Sequence, residues 1–247
     1  MENLTKLERA KSLCERTFDE LRNAILAMAP GENKLPSEDE LSRALGVSRS
    51  TIREAVKQLQ MEGAITKIQG RGTFAHPSVF HIQNRVDLHP DFYALLSREH
   101  ERVVLDVEPL GVSTPSESYL RVFPNAVAGE PVYVMVWRYY ADDILMIFGT
   151  FEFPTRFLRR IPAPDFHVNN LPEFSKAYLN EDITYCAMQL RCGYSETAAR
   201  QFGIPEKVPM QCWKEVIYDV GDHAVGYCRF FLHPDHMIMS LIAHFDI

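Results

Sequence analysis

The chain has 247 residues, longer than one typical domain, and 46% of them are apolar, enough to bury a core in each of two units and too many for a disordered or low-complexity chain. Apolar runs at 132–137 and 144–148 fall far short of the roughly 20 residues that cross a bilayer, and the charged start (Lys6, Glu8, Arg9, Lys11) has no apolar signal core, so a cytoplasmic protein is expected. The net charge of −7 argues against nucleic acid only until it is divided: residues 1–78 hold 12 Lys and Arg against 11 Asp and Glu, the remainder 14 against 22.

Residues 15–28 set Phe18, Leu21, Ile25 and Met28 at three- and four-residue spacing, which predicts an amphipathic helix ended by Pro30-Gly31. Ser37 and Glu40 have capping-box spacing, with three acids in the turn that follows. That second helix runs through Leu41 and Leu45 to Gly46, a residue suited to the left-handed conformation after a helix end. Ser48 caps a third helix with Ile52, Val56 and Leu59 inward and Arg49, Ser50, Arg53 and Lys57 on the open side. Two short helices about a tight glycine turn make a helix-turn-helix. Stretches 64–68 and 73–75 flank Gln69-Gly70-Arg71-Gly72 and predict a β-hairpin wing. Within 43–75, Arg43, Arg49, Arg53, Lys57, Lys67 and Arg71 outnumber Glu54 and Glu62, a local excess suited to phosphate.

Residues 76–84 lack a period and read as a linker between a head, 1–75, and a second domain, 85–247. In the second domain helices are expected at 92–100, 115–122 and 194–202, the last stopped by Gly203. Strands are expected at 103–108, 132–140, 144–153, 183–192, 210–219, 224–232 and 237–245, with turns at Asp142-Asp143 and Val220-Gly221-Asp222. Many strands and few helices imply an antiparallel α+β domain. The cysteines (Cys14, Cys186, Cys192, Cys212, Cys228) are odd in number and never spaced C-x-x-C, so they read as reduced, mostly buried thiols rather than a disulfide or zinc framework. His233-Pro-Asp-His236 lacks the geometry of a helical histidine pair and has no second cluster to complete a metal shell, no nucleophile elbow is present, and the aromatic run Trp137, Tyr139, Phe148, Phe151, Phe153 reads as sheet core.

Leu35-Pro36-Ser37-Glu38, Leu41, Leu45-Gly46-Val47-Ser48-Arg49, Thr51-Ile52-Arg53-Glu54-Ala55, Leu59, Gly63 and Gln69-Gly70-Arg71-Gly72-Thr73-Phe74 resemble the signature of the GntR family over roughly residues 15–76. The resemblance implies a winged helix-turn-helix in which Arg49 and Arg53 approach bases and phosphates, Ser48 and Thr51 support phosphate contacts, and Gly70 to Thr73 reach the minor groove. An arginine fork at the start of a recognition helix suits the O6/N7 edge of guanine. The DNA-facing candidates are Pro36, Ser37, Glu38, Arg43, Ser48, Arg49, Ser50, Thr51, Arg53, Lys57, Gln69, Gly70, Arg71, Gly72 and Thr73.

Gly129-Glu130-Pro131-Val132, Ala141-Asp142-Asp143, Phe153-Pro154, Ala198-Ala199 and Ile204-Pro205, in that order, resemble the UTRA domain of HutC-like GntR regulators, which implies a chorismate-lyase-like fold, effector binding without catalysis, and a dimer. Two departures bear on the ligand: of two expected arginines before the first acidic turn only Arg138 is found, and Gly149 stands at the expected acidic position. Strand alternation puts Arg138 with Val134, Val136 and Tyr140, Arg191 with Tyr185 and Gln189, and Arg229 with Tyr227 and His233. An arginine on an apolar face needs an internal carboxylate or a bound anion. Arg138, Tyr185, Tyr227 and Arg229 are therefore the effector candidates, for an anionic or polar small molecule. The function expected is a homodimeric repressor of a metabolic or uptake operon, bound to a pseudo-palindromic operator of double-stranded DNA and released by the effector, with no cofactor. The alternatives are a small-molecule enzyme with a DNA-binding autoregulatory module, and an architectural DNA binder without a ligand.

Overall fold

The computed structural model describes residues 11–29, 31–88, 91–123 and 129–243. The chain divides into two compact units, Met1–Leu88 with Ser240–Ile247, and His89–Met239.

The first unit is built from α1 (Leu13–Leu26), α2 (Glu38–Leu45), α3 (Arg49–Met61), β1 (Ile65–Ile68) and β2 (Gly72–Ala75). Each helix starts on a serine whose hydroxyl accepts from the backbone N–H three residues on, and Ser12 and Ser37 complete capping boxes with Glu15 and Glu40. Gly46 ends α2 at φ +64°, so the turn into Ser48 needs a residue without a Cβ penalty. Leu21, Ile25, Leu41, Ile52, Val56, Leu59 and Ile65 form its core. β1 and β2 pair antiparallel with Thr66 opposite Phe74, and the Leu35 N–H donates to Thr73 O (2.9 Å) beside an isolated bridge from Lys34 to Phe74. The stretch 76–84 contains a 3-10 turn, Pro77–His81, whose Val79 joins the same core. Expected strand 237–245 does not form among its described residues: beyond Met237 the chain makes one bridge, Ser240 to Arg85, and Ile242 packs on the first unit's core, while 244 and 245 lie outside the described residues.

The second unit is a six-stranded antiparallel sheet, in which β3 (Val103–Ser113), β4 (Val132–Ala141) and β5 (Ile144–Pro154) form one meander and β6 (Ile183–Gly193), β7 (Met210–Asp219) and β8 (Ala224–Leu232) the other. β5 pairs with β8, giving the order β3-β4-β5-β8-β7-β6. Asp142 (φ +47°) and Asp143 (φ +67°) make the two-residue turn between β4 and β5, whose twist matches paired strands. α4 (Phe92–Leu96) and α6 (Leu171–Tyr178) cover one face: Phe92 meets Tyr139, Trp213 and Phe230 edge-on at 4.8–5.6 Å, and Phe174 meets Phe153 at 5.0 Å. α5 (Glu117–Val122) and α7 (Glu196–Phe202) cover the other, through Tyr119 against Val132 and Tyr227, and Ala198 and Ala199 against Val136, Phe148, Cys212 and Phe231. α6 was not foreseen in the sequence, although Asn170 caps it and Pro172 occupies its first turn. Of the cysteines only Cys212 and Cys228 are buried; Cys14 and Cys186 are half-buried and Cys192 is exposed, fewer buried thiols than expected.

Candidate nucleic-acid interface and ligand cavities

The open side of the first unit carries the residues singled out in the sequence. Arg49 and Arg53 project from the first turns of α3 with side chains 64% and 67% exposed. They are held by acids of α2: Arg49 Nε lies 2.8 Å from Asp39 Oδ1 and Arg53 Nε 2.8 Å from Glu38 Oε2. Glu38 also takes Lys67 of β1 at 2.8 Å, so one carboxylate ties α3 to the β1–β2 hairpin. The Lys67 ammonium and the Arg53 guanidinium hold the Glu38 carboxyl below its ordinary pKa. Exposed pairs of this kind are worth about 0–1 kcal/mol each, so a phosphate can displace them cheaply. Ser48 Oγ sits 2.7 Å from Ser50 Oγ and 2.8 Å from Thr51 Oγ1, which clusters three hydroxyls at the helix start. Arg43 Nε donates to Asp39 O (3.3 Å), Lys57 is exposed along α3, and Pro36 and Ser37 lead into α2. At the wing, Gln69 and Gly70 are exposed, Gly70 and Gly72 take φ of +74° and +117°, and Arg71 lies over the Phe74 ring at 5.8 Å. A groove lined by Glu38, Lys67, Gln69, Gly70, Gly72 and Thr73 runs between α2 and the wing. The roles of Asp39 and Lys67 were missed in the sequence because their partners come from other elements.

In the second unit the four effector candidates do not form one cluster. Arg138 is neutralised from its own face: Nη1 donates to Asp106 Oδ2 (3.1 Å), Nη2 to Glu108 Oε2 (2.6 Å) and Nε to Gln201 Oε1 (2.9 Å), with 15% of the side chain exposed. Tyr227 and Arg229, on β8, line a polar recess of about 240 Å³ with Ser116, Ser118, Thr150 and Glu152. There Arg229 Nη1 donates to Ser118 Oγ (3.3 Å), Glu152 accepts from the Ser116 N–H (2.8 Å) and hydroxyl (2.5 Å), and the buried Tyr227 hydroxyl makes no hydrogen bond among the described residues. Burial pushes the Tyr227 phenol up to about 12. Tyr185 is on β6, half-exposed, stacked on Tyr218 at 4.7 Å and hydrogen-bonded to Asp222. Arg191 is exposed on the same edge strand. His233 and His236 lie 4.4 Å apart between ring centres, and no group of three or more His, Cys, Asp or Glu is placed to hold a metal among the described residues.

An apolar cavity of about 400 Å³ opens on the opposite face of the sheet, with Tyr185 at its border. Phe92, Trp137, Tyr139, Phe151 and Phe230 furnish its aromatic walls. Glu215 of β7 is 6% exposed and borders it, with the Cys228 thiol donating to Oε2 at 3.3 Å. Burial in these apolar surroundings pushes the Glu215 carboxyl up to about 7. Glu215 was overlooked in the sequence, yet the signal was there: it alternates with Trp213 and Ile217, a charge on the inward face of a strand. A one-residue shift in pairing between Tyr139 and Tyr140 sets Gly149 opposite Trp137, and the Phe230 ring fills the space where a Cβ at 149 would stand, 2.1 Å from Cδ1. The acidic position expected on β5 has thus been given over to aromatic packing.

The chain combines a winged helix-turn-helix head with a six-stranded antiparallel sheet that carries helices on both faces. The family model described as bacterial regulatory proteins, gntR family, matches residues 13–75. The chain is 30% identical over 122 residues to the uncharacterized HTH-type transcriptional regulator YurK of Bacillus subtilis, covering 49% of each, so the match spans about half the length of that relative. It is 40% identical over 63 residues to the histidine utilization repressor of Pseudomonas putida, 24% of this chain and 25% of that one. Among solved structures, the possible transcriptional regulator YydK from Bacillus subtilis superposes with a TM-score of 0.62 at 17% identity, covering 92% of this chain and 99% of that one. PhnF from Mycobacterium smegmatis superposes with a TM-score of 0.50 at 19% identity, over 92% and 99% of the two chains. At these identities the likeness establishes the fold alone, that of the antiparallel sheet domain included. No helix among the described residues is long and apolar enough to cross a membrane.

Proposed function

We infer that the chain is a ligand-responsive, DNA-binding transcription regulator, acting in the cytoplasm as a homodimeric repressor of a metabolic or uptake operon. The observation that carries this reading is the pair Arg49 and Arg53, exposed at the start of a capped helix and flanked by a glycine-tipped wing. Two such heads would enter successive major grooves of a pseudo-palindromic operator, with Arg49 and Arg53 at base edges, Ser48, Ser50 and Thr51 at phosphates, and Gly70 to Thr73 along the minor groove. The sheet domain supplies the sensor, through its aromatic cavity. A ligand coupling of about 1–3 kcal/mol to the heads would change operator affinity roughly 5- to 150-fold, enough for a switch.

The enzyme reading needs an acid–base or nucleophile pair, whereas the buried carboxyl of the large cavity is partnered by a thiol whose own pKa burial pushes far up. Footprinting of the full chain on the DNA upstream of its own gene tests the regulator reading. A protected, two-fold symmetric site lost in an Arg49→Ala/Arg53→Ala variant is the expected result; no protection at low salt, with and without metabolite extracts, would remove it.

A further inference from the structure

The aromatic cavity of the sheet domain has a charge pattern of its own. Among the described residues that line it, Asp91 and Glu215 are carboxylic acids and none is Lys, Arg or His. Asp91 is engaged at the start of α4, where Oδ1 accepts from the Tyr93 N–H (2.8 Å) and the Ala94 N–H (3.3 Å). Glu215 is met by the weak thiol donor of Cys228, at 3.3 Å, and by the Trp213 indole of its own strand, neither of them charged. The Trp137 indole, fully buried in the cavity wall, donates to nothing among the described residues. A buried carboxyl without a cationic partner and a buried N–H without an acceptor both cost free energy, and a ligand able to pair with them recovers it.

The geometry points to a small organic cation as the occupant: a protonated or quaternary amine among the aromatic rings, its positive end against Glu215 and an acceptor atom at the Trp137 indole N–H. The assignment rests on the sensor reading above and narrows it, replacing the anionic effector expected from the arginines. Rings of Trp, Tyr and Phe attract cations through their quadrupoles, and the attraction grows where water is excluded. An anion in this cavity would meet two carboxylic acids and no positive group, while the arginine that could receive one, Arg229, sits in the polar recess with Ser118 and Tyr227 on the other face of the sheet. The groups that face Glu215 are Trp213 on its own strand, Cys228 on β8, Cys186 on β6 and Tyr139 on β4, the last also facing Asp91; none is cationic. A bound cation therefore draws the Glu215 proton off, and its affinity rises from about pH 6 to about pH 8, across the value of about 7 set by burial.

The test is calorimetric titration of the full chain with tyramine, tyrosol and 4-hydroxyphenylacetate, which share a phenol and differ in charge, and with benzyltrimethylammonium as a permanent cation. Both cations are expected to bind at about pH 8, tyramine at least roughly tenfold tighter than neutral tyrosol, a difference of about 1.4 kcal/mol, with the acid weakest. Glu215→Gln, checked for folding by near-ultraviolet circular dichroism, should erase the preference for charge; Trp137→Phe should weaken tyramine several-fold and keep that preference; Arg229→Ala should change neither. The proposal is overturned if neither cation binds, if the acid binds as tightly as tyramine, if Glu215→Gln keeps the preference, or if Arg229→Ala abolishes binding. Operator binding by the unliganded chain, measured alongside, fails or holds independently and speaks only to the regulator reading.

Discussion

Replacing Glu215 by Gln should stabilise the sheet domain, and by an amount that depends on pH in a way only this residue can produce. In the folded chain burial lifts the carboxyl from 4.5 to about 7, so between those values the native state keeps a proton that the unfolded chain has released. Stability therefore falls as pH rises through that window and levels off above it, because unfolding is favoured wherever the native state binds more protons. At 1.36 kcal/mol per pH unit, the gap between 4.5 and about 7 amounts to about 3 kcal/mol. Glutamine keeps the shape and has no charge to bury, so the variant should gain nothing at about pH 4.5 and about 3 kcal/mol at about pH 8. For a domain of this size that is a rise in Tm of several degrees. Scanning calorimetry of both proteins from about pH 5 to about pH 8 measures it, and the difference between the two curves removes the contribution of other groups such as His233, whose pKa burial lowers in both. Parallel curves, with no widening gap across the window, would refute the assignment of a proton to buried Glu215. A variant that is more stable but blind to cations would be the signature of a binding group retained at a cost to the fold.

Three further outcomes follow from particular contacts. The Arg49→Ala/Arg53→Ala pair should lose about 1–3 kcal/mol of operator affinity at each base-reading arginine and flatten the log–log salt dependence by about two ions; fluorescence anisotropy at several salt concentrations would show an unchanged Kd if α3 is not the reading helix. Ser37→Ala removes the hydroxyl that accepts from Glu40 N–H, so the head should lose about 1 kcal/mol in a denaturant titration followed by helical ellipticity, while the sheet domain's transition stays put. Gly149→Ala drives a methyl into the Phe230 ring, 2.1 Å away, and should cost about 1–3 kcal/mol by chemical denaturation; Phe230→Leu in the same chain should recover part of that loss, and a neutral single variant would show the ring to be free to move.

The head was legible because its determinants are local. Ser37 with Glu40, Gly46 after Leu45, Ser48 before Arg49 and the glycines of the wing act on backbone groups within four residues, and that chemistry is written in spacing alone. Turn residues likewise placed the hairpin at Asp142-Asp143, and strand alternation grouped Tyr227 with Arg229, which line one recess. Partners across elements were decided only by the tertiary structure: Glu38 takes Arg53 and Lys67, 15 and 29 residues away, and Arg138 takes Asp106 and Glu108 from the neighbouring strand, which turns an expected anion site into an internal ion cluster. A period of two tells which residues share a face of one strand but not which strand lies beside it, so it could group Arg229 with Tyr227 and could not know that Tyr185 belongs two strands away on the edge, bordering a different cavity. The pairing of β5 with β8, which sets Gly149 against Phe230, joins residues some 80 positions apart, a contact that no local pattern encodes.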